Sequence, residues 1–143
     1  MFKWAREKSP WVFHLCAGGG CNGCDIETVA VFGPRFDLER LGVRLKESAN
    51  HADILLVTDS VTKKNKEAFM QKYQQATEPK VVVAVGNCAI TSELFKGLYS
   101  LEGPIDKIVP VDVYIPGCPP RPDAIIEGIK KATKILGDKK VKK

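Results

Sequence analysis

Apolar runs separated by glycine, proline and polar breaks set out the chain. Trp11-Val12-Phe13-His14-Leu15 follows Pro10, which interrupts any helix, and reads as a buried first strand. Asp25 to Val31 has helical character until Gly33-Pro34 stops it. Asp37 to Lys46 is mixed: Leu38, Leu41 and Leu45 have helical spacing, while Val43-Arg44-Leu45 alternates like a strand. Asp53-Ile54-Leu55-Leu56-Val57-Thr58 and Lys80-Val81-Val82-Val83-Ala84-Val85 are short, continuous and apolar, the signature of strands buried on both faces. Between them, Lys63 to Gln75 is polar with Phe69 and Tyr73 four apart, which predicts a crossover helix with a narrow apolar face. A helix from Thr91 to Leu98, capped by Thr91 or Ser92, should follow, then a strand from Ile108 to Ile115 interrupted by Pro110. Pro122 opens a final helix, Asp123 to Leu136, with Ile125, Ile126, Ile129 and Ile135 on or near one face and Gly137 ending it.

Strands alternating with helices at this spacing predict a three-layer α/β fold with a mainly parallel sheet. At 143 residues and 44% hydrophobic content the chain suits one domain with a real core. The expected boundaries are an N-terminal segment over 1–10, the α/β domain over 11–137 and a basic tail over 138–143. No run approaches the roughly 20 apolar residues of a membrane-spanning helix, and the N-terminus lacks a secretory h-region, so a soluble intracellular chain is expected. Phe2 to Lys8 reads as a short amphipathic turn, with Trp4 expected against its own domain and a contact to a membrane subunit as the alternative. Part of the formal net charge of +5 sits in Lys139, Lys140, Lys142 and Lys143, read as a solvated end. Aromatic and basic residues are not interleaved, which argues against nucleic acid as a partner.

Chemistry enters with the thiols. The chain has five cysteines, an odd number poorly suited to a disulfide framework. Cys21 and Cys24 lie in the glycine-rich stretch Gly18-Gly19-Gly20-Cys21-Asn22-Gly23-Cys24 just past the first strand. Cys88 and Cys118 also follow apolar runs, in Val85-Gly86-Asn87-Cys88 and Ile115-Pro116-Gly117-Cys118-Pro119-Pro120. If those runs are parallel strands, their trailing loops meet at one sheet edge and four thiolates can surround one metal centre. Widely separated ligands and the Cys118-Pro119 step favour an iron-sulfur cluster; structural zinc and a redox dithiol are the alternatives. Gly20, Gly23, Gly86 and Gly117 would let backbone amides approach the sulfurs. Cys16 reads as a small buried residue at a strand end.

Pro10-Trp11-Val12-Phe13-His14, Cys21-Asn22-Gly23-Cys24-Asp25-Ile26-Glu27, Val85-Gly86-Asn87-Cys88 and the segment Ile108-Val109-Pro110-Val111-Asp112-Val113-Tyr114-Ile115-Pro116-Gly117-Cys118-Pro119-Pro120-Arg121-Pro122 match a known pattern. Together they resemble the small subunit of group 4 energy-converting, membrane-bound nickel-iron hydrogenases, homologous to the 20-kilodalton subunit of respiratory complex I. The resemblance runs from Ser9 to Leu136 and implies a flavodoxin-like fold carrying one 4Fe-4S cluster on Cys21, Cys24, Cys88 and Cys118. The complex I branch has two adjacent cysteines where this chain has Cys21-x-x-Cys24, which points to the hydrogenase branch. Two departures lie in loops near the expected cluster. The family often has Thr-Gly-x-Val-Thr where this chain has Thr58-Asp59-Ser60-Val61-Thr62, and a glycine soon after the third ligand where it has Ala89-Ile90-Thr91-Ser92-Glu93.

With four thiols assigned, only Cys16 remains, too few for a nickel-iron site, so hydrogen chemistry falls to a partner. The resemblance implies ferredoxin as donor, a ferredoxin-like 4Fe-4S subunit, a nickel-iron large subunit, and membrane subunits that pump ions. The chain would then lie on the cytoplasmic side of the cell membrane, held there by its partners. The equivalent cluster subunit of a quinone or sulfur-compound reductase is the alternative, and a zinc or dithiol protein a third. Glu27, three residues after Cys24, is a candidate proton relay, weighed against a carboxylate favoured by the helix start. His14 is expected to be a satisfied core or interface histidine and Arg121 either a donor to the cluster or partner or a surface residue. His51 and Asp53 should serve a turn and a strand start.

Overall fold

The computed structural model describes Trp4 and residues 7–139. Eight strands and four helices of five residues or more occur among them: β1 (Trp11–Cys16), β2 (Gly18–Gly19), α1 (Gly23–Phe32), β3 (Arg44–Leu45), β4 (Ile54–Thr58), β5 (Ser60–Thr62), α2 (Lys66–Gln75), β6 (Val81–Val85), α3 (Asn87–Thr91), β7 (Leu101–Gly103), β8 (Val113–Ile115) and α4 (Pro122–Asp138). Five strands form one parallel sheet in the order β3-β1-β4-β6-β8. Counting only those strands, this is the 2-1-3-4-5 order of flavodoxin-like folds. A small antiparallel sheet, β2-β5-β7, sits beside it.

The period of two in a strand divides the core. Ile54, Leu56, Val81, Val83 and Val85 turn to one face and pack with Val31 of α1 and Ile125, Ile129, Ala132 and Leu136 of α4. Leu55, Val57, Val82 and Ala84 turn to the other, against Phe69 of α2, Ala89 of α3, Ile105 and Val109. Both faces are covered, which is why β4 and β6 are continuous apolar runs and are buried at every position. The register aligns Cys16 with Thr58, Thr58 with Val85 and Val85 with Ile115. The last residues of β1, β4, β6 and β8 therefore form one row, and the loops beyond that row carry every expected ligand.

Several expectations are corrected. The helix expected from Thr91 begins at Asn87 and ends at Thr91, and Ser92 lies past its end at φ 63 instead of capping a start. The early turn is held by Asn87, whose side-chain oxygen accepts from Gly117 N at 2.9 Å and whose own N–H donates to Gly117 O at 2.9 Å. The last strand is only Val113–Ile115. Upstream, Pro110 has no N–H to donate, and Asp112 ties the segment to β6 by accepting from Val82 N at 2.9 Å and donating its own N–H to Val82 O. The mixed segment resolves into a single turn at Leu38–Leu41 followed by β3, with Leu38 buried and Leu41 and Leu45 exposed. Gly137 lies inside α4, which runs to Asp138.

Trp4 is 70% exposed and does not pack into the domain. Phe2, Lys3 and Arg6 of the expected amphipathic turn, and Lys140, Lys142 and Lys143 of the tail, lie outside the described residues. Lys139 is not a solvated lysine: its Nζ donates to Asp112 at 2.7 Å and to Lys80 O at 2.8 Å, closing α4 onto the sheet. No helix among the described residues is long and apolar enough to cross a membrane.

Candidate metal centre

Three loops bring the thiols together. The turn after β1 carries Cys21 and leads into α1, whose first turn carries Cys24. Gly86 ends β6 and starts α3 with Cys88, and Cys118 follows β8 after Gly117. Cys24 and Cys88 are 5% and 6% exposed, whereas Cys21 and Cys118 face solvent. The set is thus half embedded and half open.

Mutual electrostatics mark the convergence. Burial first, then Asp59, Cys88, Cys21 and Asp25, push the Cys24 thiol up to about 12. Cys88 is raised by burial and then by Asp59, Cys118, Cys21 and Glu93. Each buried thiol therefore feels two of the other three, and none of the four forms a disulfide. In the absence of a cation Cys24 and Cys88 keep their protons; a metal would have to displace them.

Backbone approach completes the cradle. Gly86 has φ 87 and ψ 158, a region open to glycine, and a Cβ there would collide with Cys24 Sγ and lie 3.5 Å from Gly117 O. Gly86 N donates to Ile115 O at 2.8 Å, so strand, glycine and the Cys118 loop are locked together. Ser60 Oγ donates to Cys88 O at 2.7 Å from the opposite side. Four thiols on loops at one sheet edge are a donor set of the type that holds an iron-sulfur cluster.

Polar residues flank the thiols. His14 Nε2 lies 2.8 Å from Asp25 Oδ1, and Thr58 Oγ1 donates to the same oxygen. His14 is therefore satisfied, as the sequence indicated. Cys16 departs from expectation: it is exposed, and its thiol donates to Asp59 Oδ2 at 3.5 Å. Burial, more than the adjoining Asp25 and Asp59 charges, pushes it up to about 11. Glu27 is half-buried on α1 with no side-chain partner among the described residues, and Arg121 is exposed at the start of α4. His51 ends a short turn, its ring edge-on to Trp11, and Asp53 accepts from Trp11 N at 3.0 Å beside β4. Sequence reasoning missed Asp25 and Asp59 as neighbours of the centre. The available signal was an aspartate where the resembled family often has glycine.

This arrangement defines a class: a flavodoxin-like α/β domain with cysteines on three loops at the C-terminal edge of its sheet. The chain belongs to the family of the NADH ubiquinone oxidoreductase 20 Kd subunit, whose model matches residues 21–132, and by family it is a subunit of oxidoreductase complexes. It is 49% identical over 129 residues to the probable membrane-bound hydrogenase subunit mbhJ of Pyrococcus furiosus, covering 90% of this chain and 77% of that one. It is 44% identical over 133 residues to formate hydrogenlyase subunit 7 of Escherichia coli, covering 93% of this chain but 52% of the relative. In structure it matches a chain of the membrane-bound sulfane sulfur reductase, an archaeal respiratory membrane complex, with a TM-score of 0.82 and 38% identity over 96% of this chain and 75% of that one. An NAD+-reducing nickel-iron hydrogenase chain, at a TM-score of 0.69 and 21% identity, shares the fold, with 94% of this chain and 95% of that one covered.

Proposed function

We propose that this chain is the electron-relay subunit of a membrane-bound, ferredoxin-linked, ion-pumping hydrogenase, holding one 4Fe-4S cluster on Cys21, Cys24, Cys88 and Cys118. The observation that carries the reading is that three loops past one edge of the parallel sheet carry four thiols, none in a disulfide, with Cys24 Sγ against Gly86 at the start of the Cys88 turn. When bound, such a cluster supplies one-electron transfer. The chain's residues do the rest. Cys24 and Cys88 anchor the buried inner side, Cys21 and Cys118 close the solvent side, and Gly86 leaves room for the Cys24 sulfur. Ser60 and Asn87 hold the Cys88 and Cys118 loops in register by hydrogen bonds to Cys88 O and Gly117 N.

The open side is where a nickel-iron large subunit would dock. Ile26 and Val29, on α1 next to Cys24, are 69% and 60% exposed, apolar surface of the kind a partner covers. A ferredoxin-like 4Fe-4S subunit and ion-pumping membrane subunits would complete the assembly, with ferredoxin as donor and this chain peripheral on the cytoplasmic side of the membrane. Glu27 is the candidate proton relay: Glu27→Gln should leave the cluster spectrum intact and slow proton-coupled turnover, and unchanged turnover retires the role.

Anaerobic purification of the full chain with iron and acid-labile sulfide analysis tests the cofactor. Four of each per chain, with a reduced paramagnetic signal lost in Cys88→Ser, is the expected result; zinc without sulfide overturns it. The likeness to the sulfane sulfur reductase favours a second reading, in which the relay serves a sulfur compound. Nickel in the co-purified large subunit supports the hydrogenase, and its absence with turnover of a sulfane sulfur supports the alternative.

A further inference from the structure

Beside the four thiols lies a second group of donors that the relay does not use. Cys16 Sγ, an Asp25 oxygen and an Asp59 oxygen all lie within 4.8 Å of one another. Asp59 is 1% exposed, and its one side-chain hydrogen bond among the described residues is the weak 3.5 Å contact from the Cys16 thiol. Asp25 Oδ1 is occupied by His14 and Thr58, but Asp25 Oδ2 is buried and has no partner. Two carboxylates side by side, with more acceptor oxygens than donors, leave oxygens that a cation between them would satisfy. Asp59 also holds φ 64, an uncommon conformation for a residue with a side chain, at a position where the resembled family often has glycine.

We propose that Cys16, Asp25 and Asp59 form a second metal site, separate from the four-thiol centre, for a divalent ion of borderline softness such as Zn2+ or Co2+. One thiolate with two carboxylates disfavours Mg2+ and Ca2+, which take oxygen ligands, and matches the donors that zinc accepts. Three ligands come from the chain, and the fourth position opens to water on the exposed side of Cys16. His14 supports the site through Asp25, fixing the carboxylate from behind. Donor spacings in a tetrahedral site with bonds of about 2.0–2.3 Å are about 3.3–3.8 Å, so closure asks for side-chain movements of about 1 Å. Binding exchanges protons for the ion: the Cys16 S–H bond breaks, a sulfur-metal bond forms, and that proton, with any proton held on Asp59, leaves to solvent.

The test uses Co2+ as the probe on the full chain, purified anaerobically, with iron content measured on every sample. Bound cobalt per chain and the thiolate-to-cobalt charge-transfer absorption are compared for the native chain, Cys16→Ser and Asp59→Gly. Glycine accepts the backbone at position 59, so that variant keeps the fold. The native chain should bind one cobalt more than Cys16→Ser, with matching loss of charge-transfer intensity, and at least tenfold more tightly than Asp59→Gly. Equal cobalt and equal absorption in all three proteins overturns the proposal. The count is a difference between variants, so it stands or falls whatever fills the other four thiols.

Discussion

Gly86 and Gly97 share a positive φ but differ in whether a side chain would meet a thiol. Both have φ 87, where a side chain brings about 1–3 kcal/mol of strain, and Gly86 adds a ψ of 158, a region open essentially to glycine. They differ in surroundings. A Cβ at Gly97 meets nothing within 4 Å, whereas one at Gly86 runs into Cys24 Sγ, with Cys24 Cβ at 3.6 Å and Gly117 O at 3.5 Å. Cys24 is buried on α1, which packs on the sheet and against α4, so its sulfur cannot retreat without moving the helix. Forcing a methyl group into such a contact adds about 1–3 kcal/mol. Gly97→Ala should therefore lose only the backbone strain, and Gly86→Ala about 2–6 kcal/mol in all. Urea denaturation of the metal-free chains measures the difference, and iron and sulfide analysis of the anaerobically purified proteins measures its consequence. Gly97→Ala should load like the native chain, while Gly86→Ala should lose most of its iron because Cys24 is displaced. Equal stability and equal iron in the two variants would refute the claim that this glycine makes room for a ligand.

Two further outcomes follow from buried charge. Lys80 is 7% exposed, donates to Tyr73 O at 2.7 Å and Ala76 O at 3.2 Å, and lies 4.0 Å from the Tyr73 ring centroid, so Lys80→Met should strand both carbonyls and cost about 2–3 kcal/mol by urea denaturation. Burial and then Asp25 raise the Asp59 carboxyl above 3.8, so in metal-free protein its contribution is fully present below that pH and is lost as pH rises through the folded value. Asp59→Gly should accordingly gain stability relative to the native chain at pH 7 and lose that advantage at pH 3 in chelator-treated samples; a pH-independent difference would rule out the carboxyl as its source.

Much of this protein could be read from residues in order. Period-two and continuous apolar runs marked β1, β4 and β6, because a strand buried on both faces has no polar position to spare. Pro122 announced α4, and the Cys-x-x-Cys pair with two later cysteines past apolar runs named the thiols that the fold gathers. Local pattern failed where a tertiary contact outranked propensity. Asn87 bonds to a loop 30 residues away and starts α3 before the stretch that looked helical, and Asp112 ties down a segment that would otherwise extend β8. Cys16, apolar by composition, sits at a strand end where the sheet stops covering it. The pairing of Cys16, Asp25 and Asp59 has no signature in spacing, since each lies on a different element. Parallel register alone brings the ends of β1 and β4 side by side under the first turn of α1. Residue types decided which chemistry was available, and the sheet order decided which of those residues meet, because in a parallel sheet neighbours in space are separated in sequence by a whole crossover.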